Sequence, residues 1–497
     1  MNPEAQKAYL VSTRALEAGR PLFKVMLALA GILMVRFLVA LGTLPAFRPS
    51  TVLLAAASAS FLLVKTCKTR DLLHPVRVFG ALWCFCLALA SMHLLPLISD
   101  WNYLMWSCVL TALVSFIGGF WLARQFWDRR RASLGATPGE ELPASSFLPH
   151  RKTLITAALC LAVGTAVLAY EYSLIGEIPI LSENMDAARM ELFGAAGTGN
   201  PAFDTLSIKL IHPFVEFTKY GVFLALIVLF QKKAKSRKVV LLTILLIMLG
   251  TLTYASQGGR GMIVEIAVAG VVFFHYLHRR IRLIECGTAV LALFLFIGLL
   301  GSLRVKASES APLFQRALSM TALPEGEFWD GVAFGYMTLT ESFEVFYRLT
   351  DDLQTMQRPS AGFLFYGLHR FLPRSNLQEV AFNLYSGETI TPTFLGEFYA
   401  DYGYWGVLLG PLVLGGFYGW AYSRGGNRNA IYWIYVRALL TKMLIFFAYV
   451  SLFSQYLSWI LDLLFMYLLI RRLSAEKAQL FASLASTTGQ PCLLEVE

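Results

Sequence analysis

Apolar runs of membrane-spanning length recur along this chain, near residues 23–44, 51–65, 77–98, 103–123, 153–174, 207–230, 239–255, 261–277, 284–303, 394–420, 431–451 and 455–470. A bilayer core takes about 20 consecutive apolar residues as helix, and the second, seventh and last runs are the short ones. Buried helices of soluble proteins are rarely so long or so numerous. The pattern predicts an all-α polytopic membrane protein with 12 transmembrane helices.

Two segments break the rhythm of span and short loop. Residues 176–206 lie between the fifth and sixth spans, and their Pro, Gly and Asn punctuation predicts a folded loop with one short helix around Met185–Phe193. A larger segment, 304–393, separates the ninth and tenth spans and reads as helical stretches such as Leu339–Leu349, punctuated by "RPSAG" and "LPRS". Loops this long usually carry function. The apolar faces of this one, "GFLFYGLHRFL" among them, suit either the membrane surface or packing onto the spans. The remaining divisions are a terminus at 1–22, four spans in 23–123 and a charged, Pro/Ser-rich linker at 124–152. Spans five to nine then fill 153–303, spans ten to twelve fill 394–470, and a tail runs over 471–497.

Composition agrees with this division: 57% of the 497 residues are hydrophobic and only 15% are charged. The net charge of +10 changes the picture through its distribution. Alternate loops collect the cations, at Lys65, Lys68 and Arg70, at Arg129–Arg131, at Lys232–Lys238, at Arg279–Arg282 and at Arg471–Arg472, whereas the intervening short loops hold little beyond Arg48 and Arg260. That asymmetry places both termini in the cytoplasm and makes the basic balance a topology signal, with no nucleic-acid partner expected. Residues 1–20 are polar, and the first span continues without an A-x-A site, so no cleavable signal peptide is expected. The seven cysteines avoid the long external segments, which argues against a disulfide framework there.

Signatures of soluble enzymes are missing: there is no P-loop, no Rossmann glycine pattern, no HExxH and no GxSxG. No D-x-D pair of the kind that holds a metal against a nucleotide-sugar diphosphate occurs, so neither a metal nor another cofactor is expected.

Cations are more telling. Arg260 stands in "SQGGRG" at the turn between the seventh and eighth spans. Its glycines let a ligand approach the backbone, and the turn leads into a helix N-terminus, where open N–H groups favour an anion. A diphosphate cradle is one reading of that position, and an arginine snorkelling to the interface is the other. The large segment adds Arg304, Lys306, Arg316, Arg348, Arg358, Arg370 and Arg374, with His369 beside them. Arg370 and Arg374 share a helical face if a helix reaches Pro373. Arginine suits phosphate because its planar fork donates two parallel bonds and never deprotonates, although pairing with the ten acids of this loop would explain these residues equally.

Glu397 and Asp401, four apart in "TPTFLGEFYADYGYWG", fall at the outer end of a helix opened by Thr391 or Thr393. The aromatics around them, Phe398, Tyr399, Tyr402, Tyr404 and Trp405, suit either stacking on sugar rings or an interfacial belt. Within the spans, Arg36, Glu216 with Lys219, Glu265, Arg437, Lys442 and Asp462 are costly in lipid and are expected to pair internally.

Taken in order, "IPILSENMDAARMELF", "SQGGRG", "FLPRS" and "TPTFLGEFYADYGYWGVLLGPLVLG" resemble the Wzy-type oligosaccharide repeat-unit polymerases, the O-antigen polymerases of bacteria, over roughly residues 155–470. The resemblance implies a GT-C-like fold in the cytoplasmic (inner) membrane with an active site on the periplasmic face. It implies transfer of a growing glycan from undecaprenyl diphosphate to the non-reducing end of an incoming lipid-linked repeat unit, without a metal. Such a donor is already activated, so no nucleotide site is needed. The family's external arginines carry over onto Arg260 and then onto Arg374 and Arg370.

Leaving-group charge at the bilayer edge calls for electrostatic stabilisation, with Arg260, Arg304, Arg370 and Arg374 as candidates. The acceptor hydroxyl calls for a base, with Glu397, Asp401 and His369 as candidates, and Tyr399, Tyr402, Tyr404 and Trp405 are the candidate sugar contacts. A polysaccharide chain-length regulator is the protein partner the family implies. Two alternatives stay open. One is an O-antigen ligase delivering finished glycan to lipid A-core, and the other is a lipid-linked-oligosaccharide flippase. Transporters often show repeats and broken helices at mid-membrane, and no repeat is visible here.

Overall fold

The computed structural model describes residues 49–63, 71–94, 98, 100–133, 148–182, 188, 211–232, 235–306, 326–352, 391–423, 430–449 and 459–474. Among them the regular elements are helices: α1 (Pro49–Leu63), α2 (Pro75–Ala90), α3 (Tyr103–Ser133), α4 (His150–Ile175), α5 (Phe217–Phe230), α6 (Arg237–Ala255), α7 (Arg260–Phe273), α8 (Leu283–Lys306), α9 (Glu327–Asp352), α10 (Leu395–Ser423), α11 (Ala430–Phe446) and α12 (459–474). Six stretches, Tyr103–Arg129, His150–Ile175, His212–Phe230, Arg237–Ala255, Gly261–His278 and Leu283–Gly301, are long and apolar enough to cross a membrane. The chain is a membrane-embedded helical protein. The expected first span, 23–44, and the expected short helix at Met185–Phe193, apart from Ala188, lie outside the described residues.

Local chemistry sets several helix ends. Pro75 opens α2, where its missing N–H costs nothing. Ser236 caps α6, its hydroxyl accepting the Val239 N–H at 3.4 Å. α7 ends in a single π turn over Phe274–His278.

The helices build two cores that meet on α11. One is aromatic and joins α2, α3, α9, α10 and α11 around Phe79, Trp83, Phe116, Phe343, Phe394 and Phe447. The other joins α4–α7 and α12 to the opposite side of α11 through Phe223, Phe273, Ile434 and Met466. Helices in such bundles come closest where side chains vanish. A Cβ at Gly415 of α10 would collide with the Phe116 carbonyl of α3, and one at Gly419 with the Phe120 carbonyl.

Within the segment 304–393 the described residues hold one 26-residue helix, α9, which contains the expected helical stretch Leu339–Leu349, whereas "RPSAG" and "LPRS" lie outside the described residues. The helix buries Phe334, Met337, Phe343 and Phe346, and the acids Asp330, Glu341 and Glu344 are buried among them. α9 packs on α8, where a Cβ at Gly298 would strike the Gly331 carbonyl. It then lies across the ends of α2 and α3. Tyr336 donates to the Leu89 carbonyl at 2.9 Å, the Trp101 indole donates to Glu344 at 3.1 Å, and Asn102 donates to Asp351 at 3.4 Å. α8 itself runs to Lys306, so Arg304 belongs to a helix rather than to the loop that follows.

The α3–α10 contact yields a position-specific expectation. Gly415→Ala should destabilise the protein by about 1–3 kcal/mol, because a carbonyl cannot move aside as a flexible side chain would. Gly416→Ala should be near neutral, since its new methyl would meet no non-local atom closer than 3.8 Å. Thermal unfolding in detergent separates the two, and equal loss in both variants would contradict the packing described.

Candidate functional site

The turn between α6 and α7 is pinned from two sides. Gly258 has φ of 73°, the left-handed region that glycine enters freely, and its N–H bonds the Ala255 carbonyl at 2.9 Å. The Ile180 N–H donates to the Ser256 carbonyl at 3.2 Å, and the Tyr172 hydroxyl meets the Ser256 hydroxyl at 2.5 Å. The "IPIL" segment and the "SQGGRG" turn, some 80 residues apart, are therefore in direct contact. Gly259 caps α7 and Arg260 is its first residue. This places Arg260 on the positive end of a helix dipole, where free N–H groups face outward.

Beneath this turn lies a network of buried charge. Lys219 of α5 is 3% exposed, and its ammonium sits 2.6 Å from Glu216, 2.8 Å from Asp462 of α12 and 3.6 Å from Glu265 of α7. Lys442 of α11 closes on the other oxygen of Glu265 at 2.6 Å. The Tyr220 hydroxyl donates to Asp462, and Tyr254 of α6 donates to Glu216 at 3.3 Å. Of the in-span ions expected to pair internally, Glu216, Lys219, Glu265, Lys442 and Asp462 do so here; Arg437 instead donates to the Tyr422 carbonyl, and Arg36 lies outside the described residues. Breaking a buried pair from one side strands a charge and costs about 3–5 kcal/mol.

α10 enters the bundle in an unusual way. Residues 395–402 form a short helical limb, the chain reverses at Gly403 (φ 59°, ψ −143°), and residues 404–423 run back beside it. The limb is tight: a Cβ at Gly406 would hit the Phe398 carbonyl, and one at Gly410 would hit the Phe398 ring. At its start, Phe394 stacks on Phe447 with centroids 4.5 Å apart, and its N–H donates to the Phe447 carbonyl at 3.0 Å. Phe394 also contacts Phe79 and Trp83, at mid-length of α2, so this non-helical joint is deep in the bundle. Irregular backbone at such depth is tolerated where protein encloses it. Thr393 has φ of 41°, costly for a β-branched residue, and its hydroxyl accepts the Leu395 N–H at 3.2 Å.

The candidate bases Glu397 and Asp401 lie one turn apart on this limb, Glu397 buried and Asp401 half-buried. The aromatics divide. Tyr399 is buried, its hydroxyl donating to the Thr350 carbonyl at 3.3 Å. Tyr404 bonds the Thr111 hydroxyl at 2.6 Å, and Tyr402 and Trp405 face outward. The end of α11 joins limb and turn: Phe447 holds Phe394, while the Phe446 ring lies 3.6 Å from where a Gly261 side chain would begin. His369, Arg370 and Arg374 lie outside the described residues. Arg304 occupies the last turn of α8.

A second polar cluster, at the end of the bundle away from the turn, was not foreseen from sequence. Asp71 accepts from Tyr422 at 2.6 Å, from Tyr276 at 2.8 Å and from the Leu73 N–H at 3.0 Å, and His275 lies 3.0 Å away. Burial alone would push its carboxyl up, but these partners, His275 foremost, hold it well below the usual carboxylate range. Among the described residues no group of three or more His, Cys, Asp or Glu side chains is arranged to hold a metal ion. Comparison of the chain with protein-family models, with curated proteins and with solved structures finds no match.

The ion network supports a paired test. Lys219→Met should lower stability by about 3–5 kcal/mol by stranding the buried Asp462, Glu265 keeping Lys442. Adding Asp462→Asn should restore a substantial part of that loss, and a double variant no more stable than the single one in thermal unfolding would contradict the pairing.

Proposed function

We propose that this chain is a membrane glycosyltransferase that polymerises lipid-linked oligosaccharide repeat units, with 12 spans, a GT-C-like fold and an active site on the periplasmic face of a bacterial inner membrane. One observation carries the reading. Three of the sequence segments that resemble the Wzy-type polymerases, far apart in the chain, meet around the end of α11: "IPIL" bonds the "SQGGRG" turn, and Phe446–Phe447 join that turn to the "TPTF" limb.

In this reading the undecaprenyl diphosphate of the donor lies at the N-terminus of α7. Arg260 and the open amides of that turn take up charge as the glycosidic bond to the diphosphate breaks, with Arg304, Arg370 and Arg374 as further phosphate ligands. The new bond forms from the terminal sugar hydroxyl of the incoming repeat unit to the same anomeric carbon. Its proton passes to a carboxylate on the limb, Glu397 or Asp401, or to His369, and the diphosphate lipid departs. Tyr402, Tyr404 and Trp405, exposed beside the limb, are aromatic surfaces open to a sugar.

A transporter of the same lipid-linked substrates is the second reading. The re-entrant limb with a non-helical joint deep in the bundle favours it, since broken helices beside buried charges are a transporter device.

Arg260→Ala should abolish polymerisation, leaving single repeat units on the lipid while the protein inserts at its normal level; wild-type glycan length in that variant would sink the proposal. Arg374→Lys keeps the charge but not the bidentate fork and should lose most activity. Glycan length distributions on gels read both.

A further inference from the structure

The ion network beneath the Arg260 turn holds more acid than base. Its ammonium groups are Lys219 and Lys442, and its carboxylates are Glu216, Glu265 and Asp462. Lys442 is taken by Glu265 at 2.6 Å, which leaves Lys219 between two acids, Glu216 at 2.6 Å and Asp462 at 2.8 Å. Fully ionised, the network would therefore carry one uncompensated negative charge among apolar helices. A buried charge without a counter-ion is not sustained, and the group takes up a proton instead.

Geometry selects the acid. Glu216 ends the 3-10 turn His212–Glu216 before α5, its side chain is 38% exposed, and it also accepts from Tyr254. Glu265 of α7 is buried but has Lys442 to itself. Asp462 of α12 is buried, shares its one ammonium with Glu216, and otherwise meets the Tyr220 hydroxyl. Around it, two further buried oxygens lack hydrogen bonds: Oε1 of Glu265, and the hydroxyl of Tyr435 of α11, which is within electrostatic reach of Asp462, Lys219, Tyr220 and Glu265. Buried oxygens are ordinarily bonded, and a carboxylic O–H adds a donor where the network is short of one. The neighbouring titratable pair is Glu171 of α4 with His212, 2.9 Å apart at the other end of the same 3-10 turn.

We propose that Asp462 is a proton-binding site. It holds one proton in the native protein at neutral pH, exchanged with the outer side of the bundle by way of Glu216 and Lys219, and it makes the contact between α12 and α5 sensitive to pH. The proton comes from solvent and bonds to a carboxylate oxygen of Asp462. The resulting O–H donates to the Tyr220 oxygen in place of accepting from it, and Lys219 is left to Glu216. When the proton departs, Lys219 again has two anions to satisfy.

Infrared spectroscopy of the full chain in neutral detergent at neutral pH reads this proton directly, as a carboxylic-acid C=O band distinct from the carboxylate bands. The wild type should show the band, and aspartate labelled with carbon-13 at its side-chain carboxyl should shift it. Asp462→Asn should remove it. Glu216→Gln should remove it as well, although Asp462 is still present, because Lys219 then serves one acid and Asp462 ionises. Desolvation alone would leave the band in place in that variant. Thermal unfolding over a pH series gives a second readout. The native chain keeps a proton that the unfolded chain releases above the ordinary aspartate range, about pH 4, so stability falls as pH rises. Relative to Glu216→Gln, the wild-type folding constant should drop up to about tenfold per pH unit while the site empties. Should Asp462→Asn fail to fold, the labelled wild type and Glu216→Gln still decide the matter. A wild type without the band, a band unmoved by labelled aspartate, or a band that survives in either variant would overturn the proposal. Parallel pH profiles for the wild type and Glu216→Gln would do the same.

Discussion

The structure turns on one lysine held among three carboxylates. Lys219 is almost wholly buried, and an ammonium there is sustained by Glu216, Asp462 and Glu265 rather than by water. These partners come from the start of α5, from α12 and from α7, and Lys442 extends the same network to α11. Packing between apolar helices in lipid has little directional content, since lipid tails are as apolar as the helices. An ion network of this kind supplies the missing register. It sets the height of α7, and with it the Arg260 turn five residues before Glu265. It also sets the height of α11, whose last residues carry the joint beneath the re-entrant limb.

That arrangement divides the molecule by chemistry. One end has a glycine-lined turn, a helix N-terminus and two limb carboxylates, with α9 lying across the neighbouring helix ends. The other end has arginines, histidines and tyrosines around Asp71. Between them runs α11, which contributes Lys442 and Phe446 toward one end and Arg437 toward the other.

Much of the helical frame is legible in the sequence, because an apolar run of membrane length has few other uses. The expected spans at 153–174, 239–255 and 284–303 fall within α4, α6 and α8. α9 is less legible: its apolar face is interleaved with Asp330, Glu341, Glu344 and Asp351, so no window along it is apolar throughout. The break at Gly403 is hidden for the opposite reason, since 394–420 reads as one apolar stretch and only the backbone angle reveals the reversal. The in-span charges stand out individually, but their partners do not, because Lys219 and Asp462 are 243 positions apart. The Asp71 cluster is missed for the same reason. Asp71 and His74 read as ordinary loop residues until Tyr276 and Tyr422, 205 and 351 positions away from Asp71, are brought against them.

The most direct test of the central claim is the length and sidedness of lipid-linked glycans in cells lacking this protein. Single repeat units exposed on the periplasmic face are the predicted result, because supply and translocation continue while joining stops. Long chains still attached to the lipid, or single units held on the cytoplasmic face, would contradict it, the first in favour of a ligase and the second in favour of a transporter.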